Sequence, residues 1–158
     1  MGAGADAPAP WGLVIELTPV ALTDKALLSR WIQTYLRDTF GGIHAGGYPY
    51  LDQYFTDPDR EAHFIVSAGD LAGFVLARVD ASAWTVAEFY VAPWYRRQGI
   101  ARAAALAQFA RHPGPWTVEF DPASAAAAGF WHSMIPAPVS SVVVGERIRL
   151  SFTVSAPL

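Results

Sequence analysis

A chain of 158 residues is long enough for one compact domain with a single sizeable core, and 53% hydrophobic residues with six tryptophans exclude a disordered chain. The net charge of −3 comes from interspersed acids and bases, which leaves neither a nucleic-acid footprint nor a polybasic membrane patch, and no apolar run is long enough to span a bilayer. The absence of cysteine removes disulfide scaffolding, thiolate zinc sites and a cysteine nucleophile, and fits an intracellular protein.

In chain order, residues 1–10 are Gly/Ala/Pro-rich and lack the basic flank and apolar core of a signal peptide. They read as a disordered tail before a domain over 11–158. Asp6 stands where N-myristoylation wants Ser or Thr. Leu13 to Leu17 suits an opening strand. Thr23 or Asp24 is then placed to cap a helix in which Leu27, Leu28, Trp31, Ile32, Tyr35 and Leu36 recur at three-and-four spacing, ended by Gly41-Gly42. A loop follows, with a short helix expected around Tyr50 to Phe55. His63 to Ser67 and Leu71 to Val79 flank Ala68-Gly69-Asp70, a hairpin signal, and Trp84 to Val91 reads as a third strand ended by Pro93. Gly99 to Arg111 has helical composition and stops at Pro113-Gly114-Pro115. A short strand (Trp116 to Phe120), an alanine-rich helix (Pro122 to Trp131) and a closing hairpin (Val139 to Val144, Arg147 to Val154) complete the order. The middle strand–helix–strand unit demands a parallel pair, so the fold class is α+β (mixed α/β), a single domain with a mostly antiparallel sheet of about seven strands and about four helices.

The segment richest in chemistry runs from Glu88 to Ala101: a strand end, a proline-stiffened turn, a basic pair, and a glycine entering a helix. Free N–H groups at a helix N-terminus suit a bound phosphate, Gly99 lets it approach the main chain, and Arg96 and Arg97 add cationic side chains. Taken alone, Arg96-Arg97-Gln98-Gly99 is also compatible with a solvated turn whose glycine relieves backbone strain.

In context the string resembles the acetyl-CoA-binding motif of the GNAT (Gcn5-related N-acetyltransferase) superfamily: a strand, Val-x-Pro, then Gln/Arg-x-x-Gly-x-Gly/Ala. Arg96, Gly99 and Ala101 match its positions. Leu71-Ala72-Gly73-Phe74-Val75 and Ser124-x-x-Ala127-x-x-Phe130-Trp131 are similar to segments upstream and downstream of that motif in the same superfamily. Residues 47–54 and 87–91 also resemble a poorly characterised bacterial branch of predicted acetyltransferases.

The resemblance implies a GNAT-like fold, acetyl-CoA as cofactor, and direct transfer to a primary amine in a ternary complex. Main-chain groups across Arg96, Arg97, Gln98, Gly99, Ile100, Ala101 and Arg102 would hold pyrophosphate, and Phe89, Tyr90, Val91, Ser124, Phe130 and Trp131 the rest of the cofactor. The Val91 N–H would polarise the thioester carbonyl, and Glu88 is the leading general base, with His44 and His63 as alternatives. Many members place a tyrosine acid where Trp131 stands, so His132, Tyr95 or Ser133 is left for that role. Ser124 replaces the usual asparagine. Tyr48, Tyr50, Asp52 and Tyr54 are candidates for an aromatic, carboxylate-bearing acceptor pocket, or for core packing under a loop. No metal is expected. The acceptor is a small-molecule amine or a peptide or protein amino group, with no nucleic acid or membrane partner; a cytoplasmic location and a homodimer are further expectations. The departures at Ser124 and Trp131 also suit a non-catalytic acyl-CoA sensor. An unrelated phosphate-binding module would require three ordered segment matches to be coincidence.

Overall fold

The computed structural model describes residues 14–41 and 47–157. The tail, Leu13, Gly42 and His44 lie outside those residues. The elements are β1 (Ile15–Pro19), a 3-10 turn (Leu22–Asp24), α1 (Lys25–Phe40), α2 (Gln53–Thr56), β2 (Arg60–Ser67), β3 (Asp70–Asp80), β4 (Ala83–Val91), a second 3-10 turn (Pro93–Tyr95), α3 (Ile100–Ala110), β5 (Gly114–Phe120), α4 (Ala125–Met134), β6 (Ser140–Val144) and β7 (Arg147–Val154). The strands form one sheet in the order β1-β2-β3-β4-β5-β7-β6, antiparallel except for β4 and β5. This is the expected α+β domain with seven strands and four helices among the described residues.

Two tight turns set the β2–β3–β4 meander. Ala68 (φ 51°) and Gly69 (φ 87°) close the first, Ala81 (φ 50°) and Ser82 (φ 69°) the second. Paired positive φ values are what a two-residue hairpin needs to match the twist of its strands.

Alternation along the strands then assigns two cores. Phe64, Phe74, Leu76 and Tyr90 pack under Leu28, Ile32 and Leu36 of α1, with Leu51 and Tyr54 from the α2 region. The opposite face carries Ile65, Val91, Trp116, Val118 and Leu150, covered by α3 through Ile100, Ala104, Ala105 and Phe109 and by α4 through Trp131. The small residues of α3 let it lie close to the sheet, and Ala104 and Ala105 are fully buried.

Several element ends differ from expectation, each for a local reason. α1 starts at Lys25 behind a 3-10 turn, and Asp24 at its N-cap makes no side-chain capping bond. Gly41 ends it as expected, with φ 72° and its N–H on the Arg37 carbonyl at 2.8 Å. α4 begins three residues later than composition suggests. Asp121 closes a turn onto the Ala123 N–H at 2.9 Å, and Ser124 Oγ caps the helix from the Ala127 N–H at 3.2 Å. β2 starts at Arg60, earlier than the apolar run, because Glu61 is tied to α3. Its Oε1 accepts from Gln108 Nε2 at 2.7 Å and Arg111 Nε at 3.1 Å, and lies 3.0 Å from His112 Nε2.

Candidate active site

The site begins with an interrupted strand pair. β4 and β5 are in register only at Trp84–Trp116 and Thr85–Thr117, and beyond Thr85 the strands diverge. β4 keeps its other neighbour, pairing Gly73–Val91, Phe74–Tyr90, Val75–Phe89 and Leu76–Glu88, with Ala87 inserted as a bulge before Val86–Ala77 resumes. A bulge tightens the local twist and re-aims the flanking side chains.

Antiparallel pairs alternate between bonded and unbonded. The Ala92 N–H donates to the Ala72 carbonyl at 2.8 Å, so the same alternation turns the N–H and C=O of Val91 and Phe89 away from β3 and into the gap. Tyr90 bonds within the ladder instead, and its hydroxyl donates to Asp38 Oδ2 at 2.5 Å. The gap-facing Val91 carbonyl is already occupied: Arg96 Nε donates to it at 2.8 Å, and the guanidinium stacks 5.6 Å over the Tyr90 ring. Gly73 makes this close approach possible, since a Cβ built there would sit 1.9 Å from the Tyr90 carbonyl oxygen.

After the Pro93–Tyr95 turn the backbone is left-handed on both sides of Gln98. Arg97 adopts φ 61°, uncommon outside glycine, and Gly99, the N-cap of α3, φ 81°. Successive N–H groups in such a turn converge into an anion-binding concavity. The first backbone bond closing α3 runs from Ala103 N–H to the Gly99 carbonyl, so the donors of Ile100, Ala101 and Arg102 lie ahead of it at the helix's positive end. Gln98 Nε2 donates back to the Trp94 carbonyl at 3.3 Å, and Arg102 Nη1 lies 3.5 Å from Met134 Sδ, bridging α3 to the end of α4.

On the α1 side of the gap, a cleft of about 520 Å³ is lined by Tyr35, Tyr48, Tyr50, Arg60, Arg78, Asp80, Thr85, Val86, Ala87, Glu88, Glu119 and Arg147. Tyr35 Oη donates to Glu88 Oε1 across 3.5 Å, while Oε2 is buried with no hydrogen-bond partner among the described residues. Burial pushes the Glu88 carboxyl up to about 7, against the lowering pull of the Tyr35 hydroxyl, Arg147 and Arg78. Burial, and next the Glu88 charge, also push the Tyr35 and Tyr48 phenols far above their ordinary range.

The predicted residues therefore fall into three groups. Glu88, Tyr48 and Tyr50 share the cleft. The Phe89–Val91 edge and the Arg96–Arg102 turn share the gap. The remaining residues are engaged elsewhere. Asp52 forms an ion pair with Lys25. Tyr54 is 6% exposed, under the Arg60 guanidinium. Ser124 caps α4. Phe130 and Trp131 pack against Phe89 with ring centroids at 6.0 and 5.8 Å, and Trp131 is buried beside Phe109.

Of the alternative acids and bases, Ser133 Oγ donates to the Phe130 carbonyl at 2.9 Å and His132 packs edge-on against Phe120. Tyr95 lies beside Trp94. His63 is 1% exposed, and because Ala62 and Phe64 face α1, alternation sends it under α3, away from Glu88. Tyr35, Arg78 and Arg147 are site residues that sequence reasoning missed. Tyr35 lay in the apolar stripe of α1, and only strand register brings the arginines beside Glu88.

The sequence matches the acetyltransferase (GNAT) family over residues 28–134. No curated protein matches it in sequence. Among solved structures, the fold is similar to an acetyltransferase from Thermus thermophilus (TM-score 0.68, 18% identity, 89% of this chain and 97% of that one). It is also similar to the PaiA N-acetyltransferase of Thermoplasma acidophilum in complex with coenzyme A (0.65, 12%, 88% and 98%). A third is the ribosomal-protein-S18-alanine N-acetyltransferase of Escherichia coli (0.62, 16%, 92% and 97%). Acetyl-CoA is the cofactor of this family, and the turn of free N–H groups before α3 with the open β4 edge has the donors to hold it. The chain belongs to the GNAT acetyltransferase family.

Proposed function

We propose that the protein moves an acetyl group from acetyl-CoA to a primary amine by direct attack in a ternary complex. The observation that carries this reading is the position of Glu88: it lines the cleft just beyond the point where β4 leaves β5, with one carboxylate oxygen buried and without a hydrogen-bond partner among the described residues. The C–N bond forms as the C–S bond breaks, one proton leaves the amine and one reaches the departing sulfur.

Each part of the site has a task in that scheme. The N–H groups of the Arg97–Arg102 turn hold the pyrophosphate, with Gly99 giving main-chain access. The gap-facing groups of Phe89 and the N–H of Val91 line the pantetheine path; Arg96 holds the Val91 carbonyl and so fixes that peptide plane. In this scheme the Val91 N–H stabilises charge on the thioester oxygen, a contribution of about 3 kcal/mol for one such donor. A carboxyl near 7 is half ionised at neutral pH, which is where a general base works best. Glu88 accepts the amine proton, and Tyr35, which donates to it, keeps the carboxylate oriented.

Trp131 leaves the sulfur without a phenol on α4 and favours a second reading, a binder that does not turn over. A thiol is nonetheless a good leaving group, and solvent in the open gap can supply its proton. The experiment is to follow free-thiol release from acetyl-CoA across a panel of amines, alongside a direct measurement of acetyl-CoA affinity. Release with any amine above the buffer rate supports transfer. Tight cofactor binding with no release from the panel assigns the sensor role.

A further inference from the structure

The cleft in front of Glu88 carries a charge pattern that narrows the acceptor. Three guanidinium groups line it together with the carboxylates of Asp80, Glu88 and Glu119, and the arginine ion pairs are long: Arg60 to Asp57 at 3.7 Å, Arg78 to Asp80 at 3.6 Å, and Arg147 Nε to Glu119 at 3.7 Å. A satisfied charge-assisted contact is about 2.8 Å. Glu119 has its short contacts with Arg149 instead, at 2.8 and 2.9 Å, so Arg147 shares a carboxylate that is already taken, and its Nη2 donates to the Glu119 main-chain carbonyl at 3.1 Å. Asp52, the one carboxylate expected to greet a cationic substrate, faces Lys25 outside the cleft.

Position matters as much as charge. Leu76 is opposite Glu88 in the ladder, and Arg78 is two residues further along the same face of β3, about 7 Å away. Arg147 reaches the same floor from β7, where Arg147 and Arg149 alternate with the core residues Ile148 and Leu150. An amine presented to Glu88 would thus have planar, fork-shaped donors within a few bonds of its nitrogen.

We infer that the acceptor amine carries a second, anionic group, a carboxylate or a phosphate, which Arg78 and Arg147 bind while the amine faces Glu88. Because the site is the one assigned above, the inference rests on that reading for its orientation. The arginines have a second consequence: positive charge beside the amine disfavours its ammonium form, which lightens the work of the base.

The test reads binding separately from turnover. Calorimetric titrations of the coenzyme A-saturated protein would compare glycine, 4-aminobutyrate and 6-aminohexanoate each with its carboxamide, O-phosphoethanolamine with ethanolamine, and 1,4-diaminobutane as a dication. At least one anionic member should bind about tenfold more tightly than its neutral partner. The carboxylate and phosphate arms distinguish the two anions. In Arg78→Gln and Arg147→Gln that ratio should fall below threefold while coenzyme A affinity, which reports an intact fold, is kept. Equal binding within every pair, no measurable binding by any anionic member, or preference for the diamine overturns the inference. A clear anionic preference without thiol release would leave it standing and refute transfer. Release with neutral amines and no preference would do the reverse.

Discussion

Replacing Glu88 with Gln tests the central assignment through stability as well as rate. Burial raises this carboxyl from 4.5 to about 7, so between those values the unfolded chain has lost a proton that the folded protein still holds. Folded stability therefore falls as pH rises through that window and levels off above about 7, the opposite of a salt-bridged carboxylate. At 1.36 kcal/mol per pH unit the interval corresponds to about 3 kcal/mol, and water at the cleft mouth screens it to about 2 kcal/mol. Glutamine has nearly the same shape and carries no such cost. Relative to the offset between the two proteins at about pH 4.5, the melting temperature of Glu88→Gln should gain about 5 °C on the wild type by about pH 8. Transfer measured by thiol release should drop about a hundredfold at neutral pH, with coenzyme A affinity nearly unchanged. Thermal melts across this range check the first part. An offset that stays constant with pH would mean that Glu88 is not desolvated in the folded protein, and an unaltered rate would remove it from the mechanism.

Tyr35→Phe removes the hydroxyl that donates to Glu88 and pulls its carboxyl down, so the acidic limb of the rate–pH profile should move to higher pH; a limb that stays put would refute the contact. Gly99→Glu places a bulky anion at a left-handed N-cap and should abolish acetyl-CoA binding in a protein whose circular dichroism shows an intact fold, and retained affinity would sink the cofactor assignment. Gly73→Ala puts a methyl group 1.9 Å from the Tyr90 carbonyl. It should cost about 3 kcal/mol by denaturant titration and weaken cofactor binding by displacing the β4 edge, and a change under about 1 kcal/mol would show that the strands have room to spare.

Most of the fold was legible because its period signals were unambiguous. The stripe from Leu27 to Leu36 faces the sheet as an amphipathic helix should, and the strands from β2 to β7 were found in order, with ends shifted by a few residues. What escaped were features set by distant partners. The apolar run starts the strand at His63, yet it begins at Arg60, and Glu61 is held by Gln108, Arg111 and His112, roughly fifty residues away. Asp24 looked like a cap, but the preceding 3-10 turn changes the entry of the chain, and no side-chain bond forms. The aromatic and acidic run from Tyr48 to Tyr54 suits either an acceptor pocket or core packing under a loop. It divides, because a short helix sends Tyr54 inward and Asp52 outward to Lys25.

The same contrast separates the two sides of the proposed site, because the marks of the cofactor side are local in the sequence and those of the acceptor side are not. Every backbone irregularity on the cofactor side falls within residues 73–99: the close approach at Gly73, the bulge at Ala87, and the left-handed residues Arg97 and Gly99. Each is a main-chain requirement, and main-chain requirements leave local marks such as a glycine, a proline or a strand end. The acceptor side is assembled from α1, the segment before α2, β3, β5 and β7 by side chains that meet only through sheet register. Arg147 reaches Glu119 because β7 inserts beside β5, with β6 outside it, so the last strand of the chain is not at the sheet's edge. The charge selectivity of the acceptor site is therefore a property of strand order, which no window of the sequence contains.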